Sequence, residues 1–366
     1  MKVLFLTNVP SPYRVDFFNE LGKFCDLTVV FEKNTSTERD KSWSEYKFNN
    51  FKGVFLKGIS IGPDTAICFG VKKIIKNGNF DKIICSNFLS PTGMIAISYM
   101  RKRKIKYYLE SDGGFAKDGK GFKEKLKKRF IENAYGYFST AKIHDEYYKS
   151  YGADENKIYR YPFSSNSEKD LLKKPTSSQE KLLLRQKLGV CENLVLLAVG
   201  QFIHRKGFDI LLKSAVNLPK NVGIYFVGGI PTDEYVNLVN ENNLTNVHFI
   251  GFKSKAELKE YYKLADLFVL PTREDIWGLV VNESMANALP VITTDRCIAG
   301  LELVENYKTG LIVPSADVDS LTTAIKTLID DTKLLQEMQL NCLEKINKYT
   351  IENMALKHIE ILEKGN

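Results

Sequence analysis

Arg273, Glu274 and Asp275 place three charges in consecutive positions, directly after the short apolar run Leu267 to Leu270 and Pro271. That run reads as a buried strand of a parallel sheet, which carries apolar side chains on both faces. Gly278 then leads into a predicted helix, Val280 to Ala288, and Pro290 ends it before a second strand, Val291 to Thr293. Charged groups at the carboxyl end of a strand, facing a helix N-terminus, are where open α/β sheets bind ligands. The stretch 267–295 is therefore the first candidate site.

A second candidate loop, Gly200-Gln-Phe-Ile-His-Arg-Lys-Gly207, follows the predicted strand Leu194–Val199 and precedes a helix from Asp209. Arg205 and Lys206 beside a helix start suit a diphosphate, since free backbone N–H groups and fixed cations both attract phosphate oxygens. Taken alone, Lys-Gly before a helix is a common pattern. In the first half, Glu110-Ser-Asp-Gly-Gly114 brings Glu110, Asp112 and Gly113 to a strand end. A plain turn would need only Asp-Gly, so this reads as a site loop. The first turn, Thr7 to Arg14, presents Asn8, Ser11, Tyr13 and Arg14 at the same edge. It lacks Gly-x-Gly-x-x-Gly, which argues against a dinucleotide. A stiff two-proline connector is the alternative reading there.

The elements that must position these groups alternate along the chain. Strands are predicted at Val3–Leu6, Leu27–Phe31, Lys82–Cys85, Ile105–Leu109, Tyr135–Phe138 and Ile158–Tyr159. Helices are predicted at 13–22, 66–77, 91–103, 120–134 and 143–151, and the polar stretch 34–64, with Trp43, reads as loop and edge structure. The alternation restarts after a Ser-rich connection at 161–182, with strands at 194–199, 222–227, 247–250, 267–270, 291–293 and 311–313. Two helices, 319–346 and 351–364, close the chain. Such alternation predicts parallel, doubly wound sheets, and 366 residues favour two domains over one. The division expected is 1–165, 166–350 and a last helix, 351–366.

Composition is that of an ordinary soluble protein, 44% hydrophobic and 26% charged. No run approaches the length of a spanning helix, and the first apolar run is too short for a secretory signal. The six cysteines are widely spaced, which argues against a zinc site or disulfide framework and for a reducing compartment. Net charge is +8, but residues 1–160 hold 29 Lys and Arg against 18 Asp and Glu. A half so basic suggests an anionic partner. Arg101-Lys-Arg-Lys104 with Lys106 is one basic segment, and Lys117 to Arg129 is another. In the latter Phe122, Leu126 and Phe130 form an apolar stripe flanked by cations, which fits either an anionic membrane or an ordinary surface helix facing its own core. No nucleic-acid motif accompanies the charge. His144 reads as a surface residue at a helix start.

Gly200…Lys206-Gly207 together with Asp275…Gly278-Leu279…Glu283 resembles the retaining GT-B glycosyltransferases, the broad group related to glycogen synthase and to bacterial polysaccharide and lipopolysaccharide transferases. Pro10 to Leu21 is similar to members that build capsule or O-antigen repeats. The resemblance implies an α/β fold of two Rossmann-like domains facing a central cleft, with the nucleotide sugar on the second domain and the acceptor on the first. It implies that the last helix crosses back to the first domain. The hallmark is an acid, seven residues, then Glu. Glu283 is the second acid, expected at the ribose; the first falls on Asp275 rather than Glu, with Glu274 beside it, and either could reach the donor sugar. Gly200, Gln201, Phe252, Lys253, Trp277, Gly278, Leu279 and Val280 complete the implied donor site. Ser11, Tyr13, Arg14, Glu110, Asp112 and Gly113 form the implied acceptor side. Gln201 stands where the family has Arg, and Arg205 is the substitute cation. The family's His at an N-terminal strand end has no counterpart, since Glu110 or a neighbour stands there.

The implied reaction moves a hexose from a nucleotide-diphosphate sugar, UDP-linked by expectation, to a saccharide or polyprenyl-diphosphate-linked saccharide. Arg205 and Lys206 would stabilise the departing diphosphate, so neither metal nor other cofactor is expected. A carboxylate nucleophile and front-face attack are both open. The location implied is the cytoplasmic face of a bacterial membrane, held peripherally. The rival from another class is a noncatalytic nucleotide-sugar-binding or membrane-associated partner subunit; an epimerase fits the acid spacing less well.

Overall fold

The computed structural model of the protein describes residues 1–34, 47–116 and 121–364. Trp43 and its surroundings, with Lys117 and Lys120 of the second basic segment, lie outside the described residues. The chain divides into two compact units, one made of 1–165 with 350–366 and the other of 166–349.

The first unit runs β1 (Lys2–Thr7), α1 (Pro12–Leu21), β2 (Asp26–Phe31), β3 (Lys52–Phe55), β4 (Ile59–Ser60), β5 (Ala66–Ile67), α2 (Val71–Asn77), β6 (Lys82–Cys85), α3 (Pro91–Lys102), β7 (Tyr108–Glu110), α4 (Phe122–Ile131), β8 (Gly136–Ser139), α5 (Lys142–Ser150) and β9 (Ile158–Arg160). Its parallel sheet has the order β3-β2-β1-β6-β7-β8-β9. The hydrophobic runs of the sequence become its central strands: β6 and β8 are buried along their whole length. Helix α1 starts where Pro12, with no N–H to lose, occupies its first turn behind Ser11. Two boundaries differ from the periodicity. The predicted helix 66–77 loses its start to the short hairpin β4–β5, and the strand predicted at 105–109 is paired only from Tyr108. Lys104 sits at φ 57°, ending the turn that delays it.

The second unit runs α6 (Ser178–Leu188), β10 (Leu194–Val199), α7 (Phe208–Ala215), β11 (Val222–Val227), α8 (Asp233–Glu241), β12 (Val247–Ile250), α9 (Lys255–Leu264), β13 (Leu267–Leu270), α10 (Leu279–Ala286), β14 (Val291–Thr294), α11 (Ile298–Leu303), β15 (Gly310–Val313), α12 (Val318–Asp330) and α13 (Thr332–Ile346). Helices α6 and α9 open on reciprocal caps, Ser177 with Glu180 and Ser254 with Glu257. The single helix expected at 319–346 is two, because Asp331 interrupts it and its carboxylate accepts from the Leu334 N–H. The sheet order is β12-β11-β10-β13-β14-β15, all parallel. From β10 the chain winds one way to β12 and from β13 the other way to β15. The carboxyl ends of β10 and β13 therefore flank a topological switch point, where loops separate and leave a crevice.

The last helix, α14 (Ile351–Lys364), packs on α1 in the first unit. His358 reaches the ring of Phe17 at 4.8 Å and stacks on Phe138 at 4.5 Å.

Candidate functional site

At the switch point, the turns after β10 and β13 bring the two sequence candidates together. Lys206 ends a single 3-10 turn, His204–Lys206, and its Nζ lies 2.7 Å from Asp275 Oδ2. Asp275 is 6% exposed; its N–H donates to the Arg296 carbonyl and its own carbonyl accepts from Ile298 N–H. Those bonds fix the carboxylate beside the lysine. Arg205 Nη1 approaches Asp275 Oδ1 at 3.3 Å and donates to the Glu274 carbonyl at 2.8 Å. Glu274 itself pairs with Arg296 at 3.1 Å. The two neighbouring carboxylates thus have different partners, Asp275 with Lys206 and Arg205 and Glu274 with Arg296.

Helix α10 begins at Gly278, whose φ of 100° is left-handed and whose added Cβ would lie 2.9 Å from Cys297 Sγ. Only glycine fits both demands. Leu279, Val280 and Glu283, the residues of the first two turns on one side of α10, are half-buried, whereas Val281, Asn282 and Ser284 are buried. That side is the one a ligand can touch. Glu283 Oε2 accepts from the buried Tyr262 hydroxyl at 2.9 Å, which orients the carboxylate. Trp277 differs from expectation: it is 2% exposed and its indole N–H donates to Asn282 Oδ1, so the ring locks the helix start rather than facing outward. Gln201 is exposed, and Phe252 and Lys253 lie beyond β12, at the sheet edge two strands from β10. Lys253 pairs with Glu257 at 3.6 Å. The switch point therefore gathers Lys206, Arg205, Asp275, Gly278, Leu279, Val280 and Glu283, while Phe252 and Lys253 sit apart. Cations, a buried carboxylate and a helix N-terminus in one place can hold a diphosphate and a polyhydroxylated group side by side.

The first unit has its own buried polar network at the carboxyl edge of its sheet. Arg14, 5% exposed, pairs with both Glu110 and Asp112, and Tyr13 donates to Asp112 at 3.0 Å. Glu110 is fully buried and also meets His358 Nε2 at 3.1 Å and the Tyr161 hydroxyl at 3.3 Å. Burial alone would raise the Glu110 pKa, but Arg14 and His358 outweigh it and hold the carboxyl down at about 2. Burial and Asp112 push the Tyr13 phenol up, so it stays a donor. Ser11 is buried at the start of α1. Glu110 is thus an anchor for Arg14, and Asp112 is the more accessible carboxylate of the pair, its side chain 29% exposed. His358 and Tyr161 escaped the sequence reading, since nothing local marks a histidine 248 positions from its partner.

His144 is not a surface residue. It is fully buried, and burial pushes its pKa down to about 3. Thr140 N–H donates to Nδ1 at 3.2 Å, which leaves the proton on Nε2, 2.9 Å from Ser111 Oγ. A neutral imidazole that donates to Ser111 cannot act as its base. The pair is structural.

The basic segments separate as well. Arg101 ties α3 to the end of α4 through the carbonyls of Arg129 and Glu132. Lys104 and Lys106 precede β7, at the sheet edge opposite Glu110 and Asp112. On α4 the apolar stripe divides: Phe130 is buried in the core, while Phe122 is 79% exposed beside the exposed Lys123 and Lys125.

Residues 181–344, which carry both switch-point loops, match the family of glycosyl transferases group 1. That stretch, a little under half of the chain, carries the group 1 glycosyltransferase domain. It is 24% identical over 306 residues to a Campylobacter jejuni protein named N,N'-diacetylbacillosaminyl-diphospho-undecaprenol alpha-1,3-N-acetylgalactosaminyltransferase, covering 81% of this chain and 80% of that one. A Streptococcus pneumoniae alpha-galactosylglucosyldiacylglycerol synthase is 26% identical over 58% of this chain and 56% of its own length. The crystal structure of Anabaena HepE in complex with UDP superposes with a TM-score of 0.80 and 17% identity, over 100% of both chains. That likeness gives the chain the GT-B fold, two Rossmann-like units.

Proposed function

We propose that this glycosyltransferase transfers a hexose, with retention, from a UDP-sugar to a saccharide or polyprenyl-diphosphate-linked saccharide during bacterial surface polysaccharide synthesis. The observation that carries this reading is the Lys206–Asp275 pair, 2.7 Å apart beside the N-terminus of α10. Lys206 and Arg205 take the diphosphate, Asp275 takes a sugar hydroxyl, and Glu283, steadied by Tyr262, takes the ribose. Support for the acceptor comes from the names of the C. jejuni and S. pneumoniae relatives, which act on an undecaprenol-linked and a diacylglycerol-linked sugar.

As the bond from the anomeric carbon to the diphosphate oxygen breaks, negative charge grows on that oxygen. Lys206 and Arg205 stabilise it, and loss of one such preorganised group typically costs about 3 kcal/mol. The acceptor oxygen forms the new bond on the same face, and its proton passes to the departing phosphate oxygen. The step proposed is front-face attack; Glu110, fully buried between Arg14 and His358, is not placed to serve as a carboxylate nucleophile. With two cations and a helix N-terminus supplying positive charge, the proposed reaction requires no metal. Incubation with a panel of UDP- and GDP-sugars should give slow donor hydrolysis that EDTA leaves unchanged. Hydrolysis abolished by EDTA and restored by a divalent ion would overturn the metal-free account, and no turnover of any donor would overturn the transferase site assignment.

We place the acceptor side on Tyr13, Arg14 and Asp112, and the membrane contact on α4. No helix among the described residues is long and apolar enough to cross a membrane. Exposed Phe122, Lys123, Lys125 and Lys128 instead suit the surface of an anionic bilayer. Changing the three lysines to Gln should reduce sedimentation with phosphatidylglycerol vesicles and spare donor hydrolysis; undiminished sedimentation would refute the assignment.

A further inference from the structure

The parallel ladder between β10 and β13 pairs Leu196 with Leu267 and Leu197 with Phe268, short of the loops that leave the two strands in opposite directions, so the ladder does not itself hold those loops together. Here a set of side chains does. Arg273 Nη1 and Nη2 meet Asp209 Oδ1 and Oδ2, each at 2.7 Å, a bidentate pair. The same Nη1 donates to the His204 carbonyl at 2.8 Å. Arg273 N–H and the Thr272 hydroxyl both donate to the Arg205 carbonyl at 2.8 Å. From the other side Arg205 donates to the Glu274 carbonyl. Asp209 is 7% exposed in the first turn of α7, and the Arg273 side chain is 22% exposed. Burial would raise the Asp209 pKa, but the Arg273 guanidinium holds it below the usual carboxylate range, so the pair stays charged.

Arg273 bonds the backbone that carries Lys206, and Asp209 holds the Arg273 guanidinium in place. We propose that Asp209 and Arg273 are positioning residues that clasp the 200–207 loop onto the acidic turn and so set the separation of Lys206 from Asp275. The inference rests on the donor-site reading given above and adds to it two residues outside the acid–seven–acid pattern. Its physical content is geometric. A planar guanidinium makes two parallel bonds to a carboxylate and reaches a carbonyl from the same fork, a geometry that the single nitrogen of a lysine cannot reproduce. Without the clasp the cations and the acid no longer hold the spacing that a sugar diphosphate requires, and small misplacements at a reacting centre are expensive in rate.

The test compares wild type with Arg273→Met, Arg273→Lys, Asp209→Asn and the double variant Arg273→Met/Asp209→Asn, with Lys206→Met as reference. Calorimetry with UDP, GDP, ADP and dTDP, donor KM and kcat, and melting temperature are measured on each. The clasp predicts that each single variant, at a temperature where it is folded, weakens nucleotide binding and lowers kcat by about tenfold or more. It predicts that Arg273→Lys does not rescue, and that the double variant is no worse than either single one, because the two groups act as one unit. A merely structural role would lower the melting temperature and the active fraction while leaving Kd and KM as in wild type. If Lys206→Met loses the nucleotide but the Asp209 and Arg273 variants keep wild-type Kd and KM, the clasp is overturned and the donor site stands. If wild type binds none of the four nucleotides, or Lys206→Met binds as wild type does, the donor-site reading itself fails.

Discussion

Asp275 and Glu274 are adjacent in sequence and opposite in circumstance. Asp275 is nearly buried and carries Lys206 at 2.7 Å, while Glu274 turns to Arg296 at 3.1 Å. An aspartate is one methylene shorter than the glutamate of the family pattern, and here the lysine closes directly onto it. Asp275→Asn should therefore lower kcat/KM for transfer by about a hundredfold, the scale of losing one fixed group at the reacting centre, and Glu274→Gln by much less. Equal losses, measured with one donor and acceptor, would reverse the assignment. The crowding of charge at 273–275 was legible in the sequence because it is local. Which acid meets the lysine was not, since Lys206 lies 69 positions away and only folding selects its partner. The same holds for Glu110, legible as a strand-end acid but not as the buried partner of His358. His144 was misread because a helix-start histidine carries no local sign of the Ser111 and Thr140 contacts that bury it.

Helices and strands were easier to read than side-chain partners, for a physical reason. A parallel strand buried on both faces must be a continuous apolar run, as Leu196 to Val199 and Leu267 to Leu270 are. The predicted elements that shifted were those fixed by tertiary pairing, such as the β4–β5 hairpin, or by one cap, such as Asp331. At the switch point the decisive element is the turn into α7. Gly207 has a φ of 67°, and a Cβ there would lie 2.1 Å from the Pro271 carbonyl oxygen. Gly207→Ala must push the two site loops apart, with strain of about 1–3 kcal/mol. The expected outcome is a lower melting temperature together with a raised donor KM. A variant with wild-type melting and KM would show that the close approach of these loops is not needed.

For the molecule as a whole, the basic groups of 1–160 named above, among the described residues, occupy distinct places: Arg101 is spent on carbonyls, Lys104 and Lys106 precede β7, and exposed α4 keeps an apolar tip. The groups proposed to hold the donor, by contrast, fall within the stretch 181–344 that matches the group 1 glycosyltransferases. The proposed donor site of this second unit rests on Lys206, Asp275 and Glu283. Glu283 is the direct test, because its half-buried carboxylate is oriented by the Tyr262 hydroxyl on the side of α10 that a ligand can touch. Initial rates of transfer from the best donor should fall by about a hundredfold or more in Glu283→Ala, with an unchanged melting temperature and a raised donor KM. Wild-type rates in a folded Glu283→Ala protein would show that Glu283 does not hold the donor.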